Sequence, residues 1–253
     1  MRGTVSSIYR HPVKGLTPEP MNAVTLEAGA YFPHDREYAI EVGPSGFDPE
    51  APKHISKQRF TVLARFPSLA RIKTRLDDAS GAFHLGDAHG FGVETRLDTE
   101  EGRAAIERFL QAFLGEDAPG KLRVLKSPQG HRFMDHPQGY VSVMNLASVR
   151  EVARVIGHDV DPLRFRANIY IDGLKPWAED EWITGQKISL GSAGLTMFKP
   201  IVRCVATHVN LDTGERDIDM VGQLREQFGR DTLGHYFTVA DTGEIALGAD
   251  LVS

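Results

Sequence analysis

The apolar residues of this chain come in short stretches, each cut off within a few residues by glycine, proline or an Asp- or Asn-bearing turn, and 25 glycines and 14 prolines do the cutting. That punctuation suits short strands and few helices, and it leaves no uninterrupted apolar segment of the ~20 residues that a membrane-spanning helix needs. The chain therefore reads as mainly β with a few helices, an α+β molecule. Gly3 to Tyr9 alternates loosely before His11-Pro12, Leu69 to Leu76 alternates across Ala70, Ile72 and Thr74, and Leu122 to Leu125 is a short apolar run after Pro119-Gly120. Tyr236 to Ala240, a turn at Asp241-Thr242-Gly243 and Glu244 to Leu247 read as a hairpin.

Three helices are expected. Asp98 with Glu101 forms a capping-box pattern ahead of Ala105, Ile106, Phe109, Leu110 and Phe113 on one face, and Gly115 is placed to stop it. Asn145 caps a second, with Leu146, Val149, Val152, Ala153 and Ile156 inward and Gly157 at its end; a third covers Val221 to Phe228. The Pro- and Gly-bearing segments near Val42 to Pro52 and Pro128 to Pro137 read as loops, the second as a boundary or active-site loop.

At 253 residues and 41% hydrophobic the chain can build one large domain or two intertwined smaller ones. A net charge of -5 offers no general attraction to nucleic acid or an anionic membrane, so neither is expected as a partner. Any anionic ligand must be met by a local cluster of Arg and Lys. The first residues lack the apolar segment of a signal peptide, which makes the cytoplasm the expected compartment. P-loop, G-x-G-x-x-G, His-Glu-x-x-His and G-x-S-x-G patterns are all missing, which lowers the weight of ATPase, Rossmann oxidoreductase, zincin and hydrolase readings. His131 and His136 are spaced as a solvated or hydrogen-bonded pair more than as metal ligands.

Cys204 is the only cysteine, so the chain has no internal disulfide and no thiolate set for a zinc ribbon or an iron–sulfur cluster. On residue type alone, among Ile201, Val202, Val205 and Ala206, it reads as a small buried hydrophobe. The other reading needs a cationic setting. Lys199 and Arg203 supply one in sequence, and it would favour a thiolate able to bind a soft metal, carry sulfur or act as a nucleophile.

The segment from Arg203 through Cys204 to Asp212-Thr213-Gly214 resembles the signature of MOSC domains, the module at the C-terminus of molybdenum cofactor sulfurases. Other matches fall in the order that family requires. His11-Pro12-Val13-Lys14-Gly15-Leu16 is similar to the opening motif of the N-terminal β-barrel region that precedes MOSC domains, and Asp35-Arg36 to its Asp-Arg pair. Phe165-Arg166-Ala167-Asn168 resembles the family's Phe-Arg-x-Asn strand, Trp177 to Trp182 follows it, and Gly234-His235-Tyr236-Phe237 looks like the final binding motif. The resemblance covers nearly the whole chain. It implies a MOSC β-barrel with an intertwined N-terminal β-barrel-like region, divided at 1–115 and 116–253.

The resemblance also implies a molybdenum cofactor, Mo-molybdopterin, held between the two regions, as in the amidoxime reducing components and the bacterial N-hydroxyl reductases. Carried over position by position, Cys204 is the catalytic residue and the thiolate ligand to molybdenum. Lys14, Arg36, Ser148, Arg166, Asn168, Arg203 and Tyr236 are then the cofactor-binding positions. Soft sulfur suits such a metal, and arginine can clamp a phosphate bidentately. Without the resemblance each position has an ordinary account: Arg166 as the solvent face of a strand, Lys14 as a surface turn, Arg36 as half of an ion pair, Tyr236 as a core aromatic and Ser148 as a helix-end hydroxyl. His208 and His235 read as packing residues or as supports behind the ligands. Gly15 stands where many relatives have Ser, and Leu211 where they have Pro.

No aminotransferase-like pyridoxal phosphate domain, iron–sulfur motif or haem motif is present in this chain. The resemblance to those reductases implies reduction of an N-hydroxylated or related N-oxygenated small molecule, and the missing electron-transfer motifs imply electrons from a separate donor protein. The alternatives are a sulfur carrier using a Cys204 persulfide and a barrel that binds a small anion without catalysis.

Overall fold

The computed structural model describes residues 1–87, 89–136, 138 and 141–253. Its strands and helices run β1 (Arg2–Arg10), β2 (Glu19–Met21), β3 (Ala23–Leu26), β4 (Tyr38–Val42), β5 (Lys73–Leu76), β6 (Ala82–Gly86), β7 (Gly92–Arg96), α1 (Glu100–Leu114) and β8 (Leu122–Lys126) in the first half. There follow β9 (Val141–Asn145), α2 (Leu146–Ile156), β10 (Ile169–Asp172), β11 (Lys187–Leu190), β12 (Ala193–Val202), α3 (Met220–Phe228), β13 (Thr232–Asp241), β14 (Gly243–Ala246) and β15 (Asp250–Val252). The molecule is mainly β with three helices, as the short apolar runs require.

Seven strands close into a barrel in the order β10-β9-β13-β12-β11-β15-β1, with β1 pairing back to β10, and β2 extends from β1 as a spur. Closure removes exposed strand edges. Only the β9–β10 pair is parallel within the barrel. Its interior is filled by Val5, Ile8, Val143, Ile171, Leu190, Leu195, Met197, Phe237 and Leu251, all nearly inaccessible to solvent. β1 thus completes a barrel whose other strands all lie beyond residue 140. The first half supplies a second core, in which β4–β8 and the β5-β6-β7 sheet pack with α1 through Ile40, Phe83, Leu85, Ile106, Leu110 and Val124. Helices α2 and α3 pack outside the barrel over Met144, Tyr170, Met220 and Leu224. No helix among the described residues is long and apolar enough to cross a membrane.

Several local expectations change. α1 is capped by Thr99, whose side chain accepts from the Gly102 N–H, because Asp98 is drawn away into a bidentate pair with Arg96. α2 runs from its Asn145 cap to a left-handed Gly157, as the pattern predicts, and α3 starts one residue early behind an Asp219 cap. Pro67 starts a short 3₁₀ turn through Arg71, leaving only Lys73–Leu76 of the expected Leu69–Leu76 run as strand. β13 and β14 do not form a hairpin. Both edges of β13 are already taken by β12 and β9, so β14 pairs with β3 instead.

Candidate functional site

A cavity of about 290 Å³ opens where turns from both halves of the chain meet the end of β12. Lys14 and Gly15 follow β1, Arg36 precedes β4, and Lys57 comes from the connection between β4 and β5. Met134, Asp135 and His136 come from the loop ahead of β9, Arg164 and Arg166 from the turn before β10, and Lys199, Arg203 and Cys204 from the end of β12 and just beyond. Tyr236 faces it from β13, opposite Lys199 and Ser142. Seven cationic side chains and one carboxylate therefore line a cavity in a chain whose net charge is -5. Such a wall attracts anions regardless of the overall charge.

Cys204 is half-buried, in extended backbone between the last residue of β12 and a 3₁₀ turn over 205–208. Its carbonyl accepts from the Thr207 N–H at 2.9 Å and the Thr207 hydroxyl at 2.8 Å, which fixes the turn beneath it. The Lys57 ammonium lies between the Cys204 sulfur and the Asp135 carboxylate, 3.6 Å from the latter. Burial pushes that ammonium down, but Asp135 and the sulfur together hold it above its ordinary value.

The arginines divide by what they already hold. Arg203, under the cavity floor, gives its Nε and one terminal nitrogen to the Leu233 carbonyl and the other terminal nitrogen to the Phe165 carbonyl at 2.8 Å. Its guanidinium also lies 5.3 Å from the Phe165 ring centre. Gly234 makes room for it: a Cβ there would stand 2.8 Å from the Val143 carbonyl and 3.1 Å from the guanidinium. Arg164 is spent on Asp217, through two bonds of 2.7 Å. Arg36 is braced by Asp35 and reaches the Arg166 carbonyl at 3.1 Å. Arg164 nevertheless keeps its buried Nε without a partner, and Arg166, among the described residues, holds no carboxylate or carbonyl with its guanidinium. One of its terminal nitrogens is buried without any hydrogen-bond partner, and burial, reinforced by Arg36, lowers its pKa to about 10. A buried guanidinium with an empty donor, in a cationic wall, is arranged to receive an anion.

Behind this wall, the buried Asp35 carboxylate accepts from the His11 N–H at 2.6 Å and pairs with Arg36. Burial pushes it up, but Arg36 and His11 hold it well below the usual carboxylate range. Lys14, 3% exposed, donates to the Phe133 carbonyl at 2.8 Å and to Asp135. Burial raises Asp135 while Lys14 and Lys57 more than offset that, so it stays ionised. Tyr236 is pushed up, mainly by burial and then by Asp135, and keeps its phenolic proton. Gly15 is fixed by the backbone: its φ is +88°, and a Cβ would sit 1.9 Å from the Thr61 carbonyl oxygen.

Of the positions singled out in sequence, Lys14, Arg36, Arg166, Arg203, Cys204 and Tyr236 meet on this cavity. Asn168 stands behind it, exchanging hydrogen bonds with Ser142 at 2.8 to 3.1 Å and donating to the Tyr9 carbonyl at 3.2 Å, so it ties β9, β10 and β1 together. Ser148 is buried on α2, where its hydroxyl accepts from the Trp177 N–H at 2.8 Å, and it does not line the cavity. Lys57, Asp135, Arg164 and Ser142 are additions that no local pattern marked. The loop expected at Pro128 to Pro137 does contribute, through Met134, Asp135 and His136, while Pro137 lies outside the described residues. Among the described residues no three His, Cys, Asp or Glu side chains are grouped to hold a metal. His131 packs against Phe47 and Phe133, and His136 against Phe198 and Tyr236. His235 packs edge-on to Trp182, and His208 accepts from the Val221 N–H.

The profile of the MOSC N-terminal beta barrel domain matches residues 2–119, and that of the MOSC domain matches residues 130–252. A molybdenum cofactor sulfurase of Caenorhabditis briggsae is 35% identical over 243 residues, 88% of this chain, and this chain spans 31% of that relative's length. Among solved structures, the YuaD protein from Bacillus subtilis shares the fold with a TM-score of 0.50 and 13% identity, over 99% of this chain and 94% of that one. YiiM from Geobacillus stearothermophilus aligns with a TM-score of 0.37 and 21% identity, over 51% of this chain and 66% of its own.

Proposed function

This chain belongs to the MOSC family, and on that footing we propose that its cavity binds a pterin-based molybdenum cofactor, with Cys204 as the protein's ligand to the metal. The observation that carries this reading is the partnerless buried nitrogen of Arg166 in the same cavity as the single cysteine. An anionic phosphate would satisfy that nitrogen, and a soft sulfur donor suits a metal that arrives already held by sulfur. The residues present therefore fit the group.

Arg166, Arg36 and Lys14 would hold the phosphate, the first with its free donor and the others with donors shared with Asp35 and Asp135. Arg203 serves beneath them by clamping Leu233 and Phe165, which keeps the β12 end and the Arg166 turn in register. Lys57 stands beside Asp135 and the Cys204 sulfur, where it would balance the negative charge of a metal-bound thiolate. Tyr236, still protonated, can donate a hydrogen bond to a ligand in the cavity. When bound, the cofactor supplies two-electron redox chemistry that no side chain here provides. The reaction that suits this arrangement is reduction of an N-hydroxylated or related N-oxygenated small molecule, with electrons from a separate protein. Reduction of benzamidoxime by cofactor-loaded protein with an artificial electron donor tests it. Absence of amidine product from loaded protein would exclude the reaction.

A second reading is favoured by the sulfurase named among the relatives: Cys204 as a carrier that holds a persulfide. Its half-buried sulfur, reachable through the cavity, meets that requirement as well. Mass spectrometry after incubation with a cysteine desulfurase separates the two, since a carrier gains one sulfur on Cys204 and a metal-bound thiolate does not.

A further inference from the structure

Asp135 is the only carboxylate on the cavity wall among the described residues, and it stands where an anionic ligand would stand. One of its oxygens accepts from Lys14, and the other lies 3.6 Å from Lys57. Lys14 is 3% exposed and has one other acceptor, the Phe133 carbonyl, so without Asp135 its ammonium would be buried with no opposite charge. Asp135 itself opens toward the cavity, with 46% of its side chain accessible. It is therefore placed to be approached, and displaced, by whatever enters.

The neighbouring cations sharpen the point. Arg203 has given its donors to the Leu233 and Phe165 carbonyls, Arg164 holds Asp217 with both terminal nitrogens, and Arg36 leans on Asp35. Among the described residues Lys14 and Lys57 have no carboxylate other than Asp135, and the Cys204 sulfur lies beside Lys57. A ligand phosphate that reaches Lys14 or Lys57 then competes with Asp135 for their ammonium groups, and like charges that share a site repel strongly.

We propose that Asp135 is a tethered counter-anion, which neutralises Lys14 and Lys57 in the ligand-free cavity and sets how much negative charge a phosphate-bearing ligand must bring to take them over. The inference rests on the anion-binding part of the function proposed above and not on the metal or the reaction. It gives the residue two opposite effects: Asp135 stabilises the empty protein and weakens anion binding. Removing a residue that merely supports the fold would not raise affinity, and removing one that contacts the ligand favourably would lower it.

The test uses the full chain without cofactor and inorganic pyrophosphate as the probe, by titration calorimetry and thermal unfolding. Asp135→Asn is expected to bind pyrophosphate about tenfold tighter or more than wild type, the size expected from removing one facing like charge, while its ligand-free thermal midpoint falls. Asp135→Glu, which keeps the charge, stays near the wild-type affinity. Unchanged or weaker binding by Asp135→Asn overturns the proposal. Should that variant not fold alone, pyrophosphate must restore its cooperative unfolding, and failure to do so overturns the proposal equally. Protein that never acquires molybdenum or pterin, but whose Asp135→Asn variant gains pyrophosphate affinity, would contradict the function proposed above and leave this inference standing.

Discussion

Arg36 donates a hydrogen bond of 3.1 Å to the carbonyl oxygen of Arg166, and both residues hold left-handed backbone, with φ of 50° and 53°. Residues other than glycine rarely adopt this conformation, at a cost on the order of 1 kcal/mol each, and four of the described residues do so. Two of those four carry the guanidinium groups that face the cavity from opposite halves of the chain. Asp35 and the His11 carbonyl hold the first in that shape, and the 3₁₀ turn ending at Phe165 holds the second. Strain in this backbone is offset by the packing of both halves, and what it secures is the aim of the two side chains.

Arg166 and Arg203 should separate binding from folding. Arg166→Ala removes a side chain whose buried donor has no partner, so stability should stay within about 1 kcal/mol of wild type while pyrophosphate affinity falls by roughly tenfold or more. Arg203→Ala strips buried partners from the Leu233 and Phe165 carbonyls and should cost about 2–4 kcal/mol of unfolding free energy. Denaturant unfolding and calorimetry on both variants check this. Equal stability losses would contradict the division of roles.

Gly15→Ser should destabilise the protein by about 2 kcal/mol or more. The new Cβ would fall 1.9 Å from the Thr61 carbonyl oxygen at a φ of +88°. A Gly15→Ser variant unfolding at the wild-type denaturant concentration would show that this turn relaxes freely.

Acid sensitivity should be traceable to His11. Burial first, then Arg36 and Arg166, bring its pKa from 6.5 to about 3, against the opposing pull of Asp35. Above pH 6.5 the ring is neutral in both states and adds no slope. Between 6.5 and about 3 the unfolded chain binds a proton that the folded chain refuses, so acidification removes stability at up to about 1.4 kcal/mol per pH unit. His235, lowered to about 4 chiefly by burial, acts in the same direction. His11→Gln should lose less stability than wild type between pH 7 and pH 4.5, measured by denaturant unfolding. Identical losses would remove His11 from the acid response.

What sequence reveals here follows the range of the interactions. The helix ends and the mainly β character depend on neighbours a few residues apart, and they are readable, apart from the Thr99 cap that Asp98 yields when it pairs with Arg96. Lys14, Arg36, Arg166, Cys204 and Tyr236 could be singled out because each sits in a short motif of a known family, and the fold brings them to one cavity. Lys57 and Asp135 sit in no such motif, and Asp135 meets Lys14 across 121 positions of chain, so nothing local announces them. Asn168 and Ser148 show the opposite case. Asn168 sits in a legible motif and Ser148 is carried over only by the resemblance, but their side chains are consumed by Ser142, Tyr9 and Trp177. The β13–β14 pairing fails for a topological reason, since strand pattern does not reveal that closure of the barrel has already used both edges of β13.

The central claim is that Cys204, in a cavity shaped for an anion, is the protein's ligand to a pterin-held molybdenum. The most direct measurement is the molybdenum and pterin content of wild-type and Cys204→Ala protein, purified from a host that makes the cofactor. Wild type should carry both in matching, near-stoichiometric amounts, and Cys204→Ala should lose most of its molybdenum. Wild-type protein with neither metal nor pterin, from a host that loads another molybdenum enzyme normally, would contradict the account.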